Sequence, residues 1–136
     1  MKKKILVVDD DPTSLKIVTS LLRSQGYDVF PSSEAVDIEK LARDFNTDLI
    51  LMDLIMPNVG GNQAVEKLHK NPALRSIPVV FLTAMQMKDE ERGFEFEVNV
   101  DNKSYRTLTK PFNAKELVAE IAICYNNTHF NDGLLF

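Results

Sequence analysis

The sequence predicts an α/β protein built on a doubly wound parallel sheet, and three observations carry that expectation. The runs "KILVVD", "DLILMD" and "IPVVFLT" are apolar without alternation, the pattern of strands buried on both faces. Stretches with apolar residues at helical spacing separate them, which makes βαβ units. Residues able to do chemistry collect where the apolar runs stop: Asp9 and Asp10, Asp53, Thr83 and Lys110. In parallel sheets, ligands bind outside the carboxyl ends of the strands, at the switch point.

After "KILVVD", Asp11 and Pro12 predict an N-cap followed by proline at the first helical position. Leu15, Val18, Leu21 and Leu22 continue that helix, and "SQG" closes it near Gly26. "YDVFP" is a short second strand. Ser33 can cap a second helix carrying Val36, Ile38, Leu41, Ala42 and Phe45. "DLILMD" is the third strand and "MPNVGG" a loop. "NQAVEKLHK" is a third helix, "NPALRS" leads out of it, and "IPVVFLT" is the fourth strand. "RTLTKP" is a fifth strand stopped by Pro111. Asn113 with Glu116 makes a capping-box start for a final helix through Ile121 and Ile123. "NNTHFNDGLLF" has no period and is expected to fray or pack loosely. The expected division is one domain over residues 1–126, atypical over 88–106, and a tail over 127–136.

The 136 residues suffice for one domain with a real core. Composition is that of a globular protein, with 44% apolar and 26% charged residues, so disorder is not expected. A net charge of −4 without a basic patch argues against direct nucleic-acid binding. A lone cysteine, Cys124, rules out an intrachain disulfide and fits a reducing compartment. Acidic residues at position 9 interrupt any signal-peptide core, and "LILMDLIM" is too short to span a membrane. A cytoplasmic location without membrane contact is the expectation.

Three successive carboxylates, Asp9 to Asp11, need a physical reason. Two carboxylates about 4 Å apart repel by roughly 1 kcal/mol in water and about 4 kcal/mol at a protein surface. With strand order 2-1-3-4-5, Asp53 lies centrally, the Asp9/Asp10 pair on one side and Thr83 on the other. Neighbouring strands are ~4.8 Å apart, so Lys110 is roughly 10 Å from Asp53 at the backbone, a span only a long side chain bridges. Three carboxylates in one crevice call for a cation, and oxygen ligands suit Mg²⁺ shared with a phosphate. Asp53 can then attack a phosphoryl group and form an acyl phosphate. Lys110 would neutralise the other side, the Thr83 hydroxyl would bond a phosphoryl oxygen, and the small Ala84 would leave room.

"ILVVDDDP", "DLILMDLIMPNVGG", "VVFLTA" and "LTKPF" together resemble the response-regulator receiver domains of two-component signalling, in that family's order. The resemblance implies a flavodoxin-like sheet and phosphoryl transfer from a histidine kinase, or a phosphotransfer protein, to Asp53. It implies Mg²⁺ held by Asp10, Asp53 and the backbone carbonyl of Ile55, with Asp9 partly through water. The Lys110–Pro111 bond resembles one that is cis in the family. Two rival functions compete with this reading. A haloacid-dehalogenase-like phosphatase would use Asp9-x-Asp11-x-Thr13, but its last acidic motif should follow the lysine, and Asp53 precedes it. A pseudo-receiver that never takes phosphate is opposed by the full set Asp10, Asp53, Thr83 and Lys110. The resemblance also implies that the positions two after Asp53 and two after Thr83 position or exclude the hydrolytic water; they hold apolar Ile55 and Met85, which cannot orient water, and this predicts a long-lived phosphoryl group.

The chain leaves the family pattern after "FLTA". Receivers usually carry a helix there and an aromatic residue three before the lysine, where this chain has Thr107. "FEFEVNV" alternates with strand period. Residues 93–99 are therefore expected to form a strand antiparallel to the fifth, through a turn at 101–104, replacing the family's fourth helix. Tyr105 shares the strand parity of Thr107 and could partly supply the missing aromatic switch. The 93–109 hairpin becomes the expected surface for an unidentified downstream partner or for a homodimer.

Overall fold

The computed structural model describes residues 2–56, 58–83, 97–100, 102–110 and 112–129. Strands β1 (Lys4–Val8), β2 (Asp28–Ser32), β3 (Leu49–Asp53), β4 (Val79–Thr83), β5 (Glu97–Val100) and β6 (Lys103–Thr109) form one sheet. Its order is β2-β1-β3-β4-β6-β5. All neighbours are parallel except the β5–β6 pair. The predicted fifth strand is β6, so the expected 2-1-3-4-5 order is present, with an antiparallel edge strand added.

Helices α1 (Pro12–Ser24) and α4 (Ala114–His129) cover one face, and α2 (Ile38–Asp44) and α3 (Gly61–Lys70) the other. The unalternating strands explain this arrangement. In β1, Leu6 and Val8 pack toward α2 and α3, while Ile5 and Val7 pack toward α1 and α4. β3 splits in the same way, Ile50 and Met52 against Leu49 and Leu51. All eight side chains are fully buried, so a polar residue at any of these positions of β1 or β3 would need a buried partner.

Local chemistry sets the ends of the elements. The Asp11 carboxylate accepts the Thr13 N–H at 3.1 Å, and Pro12 opens α1. Gly26 takes φ +93° after α1, a conformation glycine adopts freely. Asn113 and Glu116 exchange hydrogen bonds of 2.8 and 2.9 Å at the start of α4. Two expectations are corrected. Ser33 does not cap α2. The Ser32 hydroxyl closes a turn with Glu34 instead, and the helix starts later, after Asp37. The helical part of the expected tail is longer than its composition suggested, because α4 runs on to His129.

The expected antiparallel partner of the fifth strand is present over its described part, Glu97–Val100, but Lys103 and Ser104 belong to β6 rather than to the expected 101–104 turn. Val98 faces Tyr105 and Val100 faces Lys103, and Asn102, just before β6, has φ +64°. Val100 and Tyr105 are buried, and Asn99 is exposed. Residues 93–96 of the expected strand, and the 84–96 segment where the family's fourth helix would lie, fall outside the described residues.

Candidate functional site

The crevice lies at the carboxyl ends of β1, β3, β4 and β6. Asp53 is the last residue of β3 and Thr83 the last of β4, while Asp9 and Asp10 follow β1 and Lys110 follows β6. Asp9 is fully buried, Asp53 is 7% exposed, and Asp10 is exposed. One carboxylate oxygen from each of the three lies within 4.8 Å of the others. Lys110 Nζ bridges the strands between, at 2.7 Å from Asp9 Oδ2 and 3.7 Å from Asp53 Oδ2. Thr83 is fully buried, and its carbonyl accepts the Lys110 N–H at 2.7 Å, which pins the two strand ends together.

The lysine was expected to face Asp53, but its closer partner is Asp9. The reason is charge. Burial raises the Asp9 carboxyl, yet hydrogen bonds from Lys110, the Asp11 N–H and the Ser14 hydroxyl outweigh it and hold the group below the ordinary carboxylate range. Asp53 receives a long 3.4 Å contact from the Ile55 N–H, and the Lys110 ammonium stands farther from it than from Asp9. Burial, reinforced by the Asp9 charge and opposed by Lys110, pushes the Asp53 carboxyl up to about 7. Two adjacent carboxyls with separated affinities for a proton form a site that can take up positive charge. A divalent cation fits this donor set, since it would offset the burial and the Asp9 repulsion that raise Asp53.

Two positioning residues escaped the sequence reading. Ser14 Oγ donates to Asp9 Oδ2 at 2.8 Å. Gly61 opens α3 against the end of β3, where a Cβ would stand 2.5 Å from the Asp53 carbonyl oxygen and 2.9 Å from Leu54 Cα. In the sequence, the glycines of "VGG" mark a loop but do not show that one of them packs on the strand end. Ile55 is 61% exposed at the rim. Ala84, Met85 and Pro111 lie outside the described residues. Thr107 is buried beside Phe81 in register, and the buried Tyr105 ring stands edge-on to Phe81 at 5.8 Å.

The model of the response regulator receiver domain matches residues 5–122. The chain belongs to that family. Receivers are the phosphoacceptor modules of two-component systems and act in signalling rather than as ordinary enzymes. Protein PilH of Pseudomonas aeruginosa is 34% identical over 87% of this chain and 93% of its own length. The DNA-binding dual master transcriptional regulator RpaA of Synechocystis is 33% identical over 92% of this chain, and the chain spans about half, 50%, of RpaA. The receiver domain of the Pseudomonas aeruginosa sensor histidine kinase PA1611, solved with a magnesium ion in its active-site cleft, has a TM-score of 0.74. It is 24% identical and covers 91% of this chain and 98% of its own, so it speaks for the fold of this receiver. The phosphatase rival has no support from this receiver's geometry, because the Asp11 carboxylate is spent on capping α1. No helix among the described residues is long and apolar enough to cross a membrane.

Proposed function

We propose that this receiver accepts a phosphoryl group on Asp53, in a Mg²⁺-dependent reaction, from the phosphohistidine of a histidine kinase or phosphotransfer protein. The observation that carries the reading is the triad of carboxylates within 4.8 Å beside a lysine whose ammonium is 3.7 Å from Asp53. Asp10, Asp53 and the Ile55 carbonyl would hold the ion, with Asp9 acting partly through water. The ion would supply charge neutralisation for the phosphoryl oxygens. Asp53 is the nucleophile, and its carboxylate form attacks phosphorus in line with the departing imidazole nitrogen. Lys110 leaves Asp9 to neutralise a phosphoryl oxygen, and the Thr83 hydroxyl bonds another. Ala84 would leave space, and Pro111 would set the turn after the lysine. The same residues then govern the domain's own dephosphorylation.

The functional unit in this reading is residues 1–126, at work in the cytoplasm. Phosphorylation would draw Thr83 toward the new phosphoryl group and disturb β4 as far as Phe81, which faces Thr107 in register and meets the Tyr105 ring. The 93–109 hairpin would pass that change to a downstream protein or a second copy. The test is Phos-tag electrophoresis after incubation with acetyl phosphate. A Mg²⁺-dependent shifted band is expected for wild type and none for Asp53→Asn. A shifted band of equal intensity in Asp53→Asn would overturn the assignment.

A further inference from the structure

We infer that Ser14 is a positioning residue that holds Asp9 in its lysine-paired state and thereby weakens the site's affinity for a divalent cation. The inference rests on the reading of this crevice as the cation and phosphoryl site, and goes beyond it by assigning a residue of α1 to its regulation.

Asp9 is fully buried, so its acceptor capacity must be met inside the protein. Oδ1 accepts the Asp11 N–H at 3.0 Å. Oδ2 accepts both the Lys110 ammonium at 2.7 Å and the Ser14 hydroxyl at 2.8 Å. A carboxylate has about four lone-pair sites, so three are taken before any ion arrives. A cation reaching this crevice brings waters, and a cation-bound water is a donor that needs a free acceptor. The backbone donor from Asp11 is fixed by the α1 cap, and Lys110 must move in any event to reach a phosphoryl group. The hydroxyl is the remaining competitor.

Ser14 also fixes the direction of the carboxylate. With Oδ2 tied to a residue on the first turn of α1, Asp9 faces the lysine, 1.0 Å closer to it than Asp53 is, from 3.7 less 2.7. The hydroxyl therefore favours the metal-free arrangement. Ser14 and Lys110 line a groove of about 270 Å³, so in Ser14→Ala a solvent water can take the vacant place. Such a water is exchangeable, and a cation-bound water can displace it at less cost than a hydroxyl anchored on a helix.

The experiment is a calorimetric titration of the metal-free protein with MgCl₂, without phosphodonor, on wild type, Ser14→Ala, Ser14→Thr and Asp53→Asn. Ser14→Ala is expected to bind roughly three- to tenfold more tightly, a fraction of one hydrogen bond to a charged group. Ser14→Thr keeps the hydroxyl and should stay at the wild-type value. A purely structural role for Ser14 would lower the melting temperature while leaving affinity equal or weaker. Equal or weaker binding by Ser14→Ala, or tighter binding by Ser14→Thr as well, would overturn the inference while the site reading stands. Failure of wild type to bind Mg²⁺, or undiminished binding by Asp53→Asn, would overturn the site reading and this inference with it.

Discussion

Cys124 shows how burial alone decides what a residue can do. It projects from α4 into the α1/α4 side of the core and is 7% exposed. Burial, helped by the Glu120 carboxylate and opposed by Arg106, pushes its thiol up from 9.0 to about 11. The nucleophilic thiolate is thus scarce at neutral pH. Iodoacetamide should label native protein far more slowly than protein in denaturant, as followed by mass spectrometry. The same shift has a signed effect on stability. The unfolded thiol ionises near pH 9 while the folded thiol stays protonated, so stability is intact below pH 9 and declines toward pH 11. Two pH units correspond to about 2–3 kcal/mol at most. In urea titrations, Cys124→Ala should lose part of the decline between pH 9 and 11. An unaltered decline would assign it elsewhere, with the buried Tyr125 phenol, also raised by burial, as the next group to titrate.

At the scale of elements, helix ends and hairpin turns carry the information that apolar runs cannot. The strands were legible because burial on both faces leaves only apolar residues, and the α1 and α4 starts were legible because their caps are short-range chemistry. Ser33 misled because the turn made by its neighbour Ser32 with Glu34 delays the helix until after Asp37, an outcome that only the fold decides. Asp53, Asp9 and Lys110 could be read as strand-end residues, but the Ser14 and Gly61 contacts could not. Each joins a strand end to the helix that follows it, and the path of the connecting loop, which sets the contact, is not spelled out by residue type. Gly61 is therefore the sharper test. A methyl group there would meet backbone atoms at 2.5 and 2.9 Å, which cannot rotate away. Gly61→Ala should cost roughly 1–3 kcal/mol, the range for overpacking, and weaken Mg²⁺ binding by shifting the Asp53 backbone. Denaturant melts and the same calorimetric titration check both effects. In the hairpin, Asn102 at φ +64° predicts that Asn102→Gly is tolerated while Asn102→Val loses about 1–2 kcal/mol.

Across the whole molecule, one side chain links three strands. Lys110 extends from the end of β6 over β4 to Asp53 on β3 and Asp9 after β1. Removing it leaves a fully buried carboxylate beside a second, mostly buried one, with no cation between them. Breaking a buried pair in this way costs about 3–5 kcal/mol, and the partial exposure of Lys110 places the expected loss for Lys110→Met near 2–4 kcal/mol. The loss should depend on metal. Anything that binds only the folded state stabilises it by mass action, and an ion among Asp9, Asp10 and Asp53 relieves the repulsion that the lysine relieved before. Mg²⁺ should therefore raise the melting temperature of Lys110→Met by more than that of wild type. Asp53→Asn makes the opposite case. It removes one of the two facing charges, so the metal-free protein should melt higher than wild type, and Mg²⁺ should add little. Calorimetric melts of the three proteins with and without Mg²⁺ read all these signs at once. A Lys110→Met protein that melts like wild type without metal, or gains no more from Mg²⁺, would show that the lysine does not carry the electrostatic balance of the crevice.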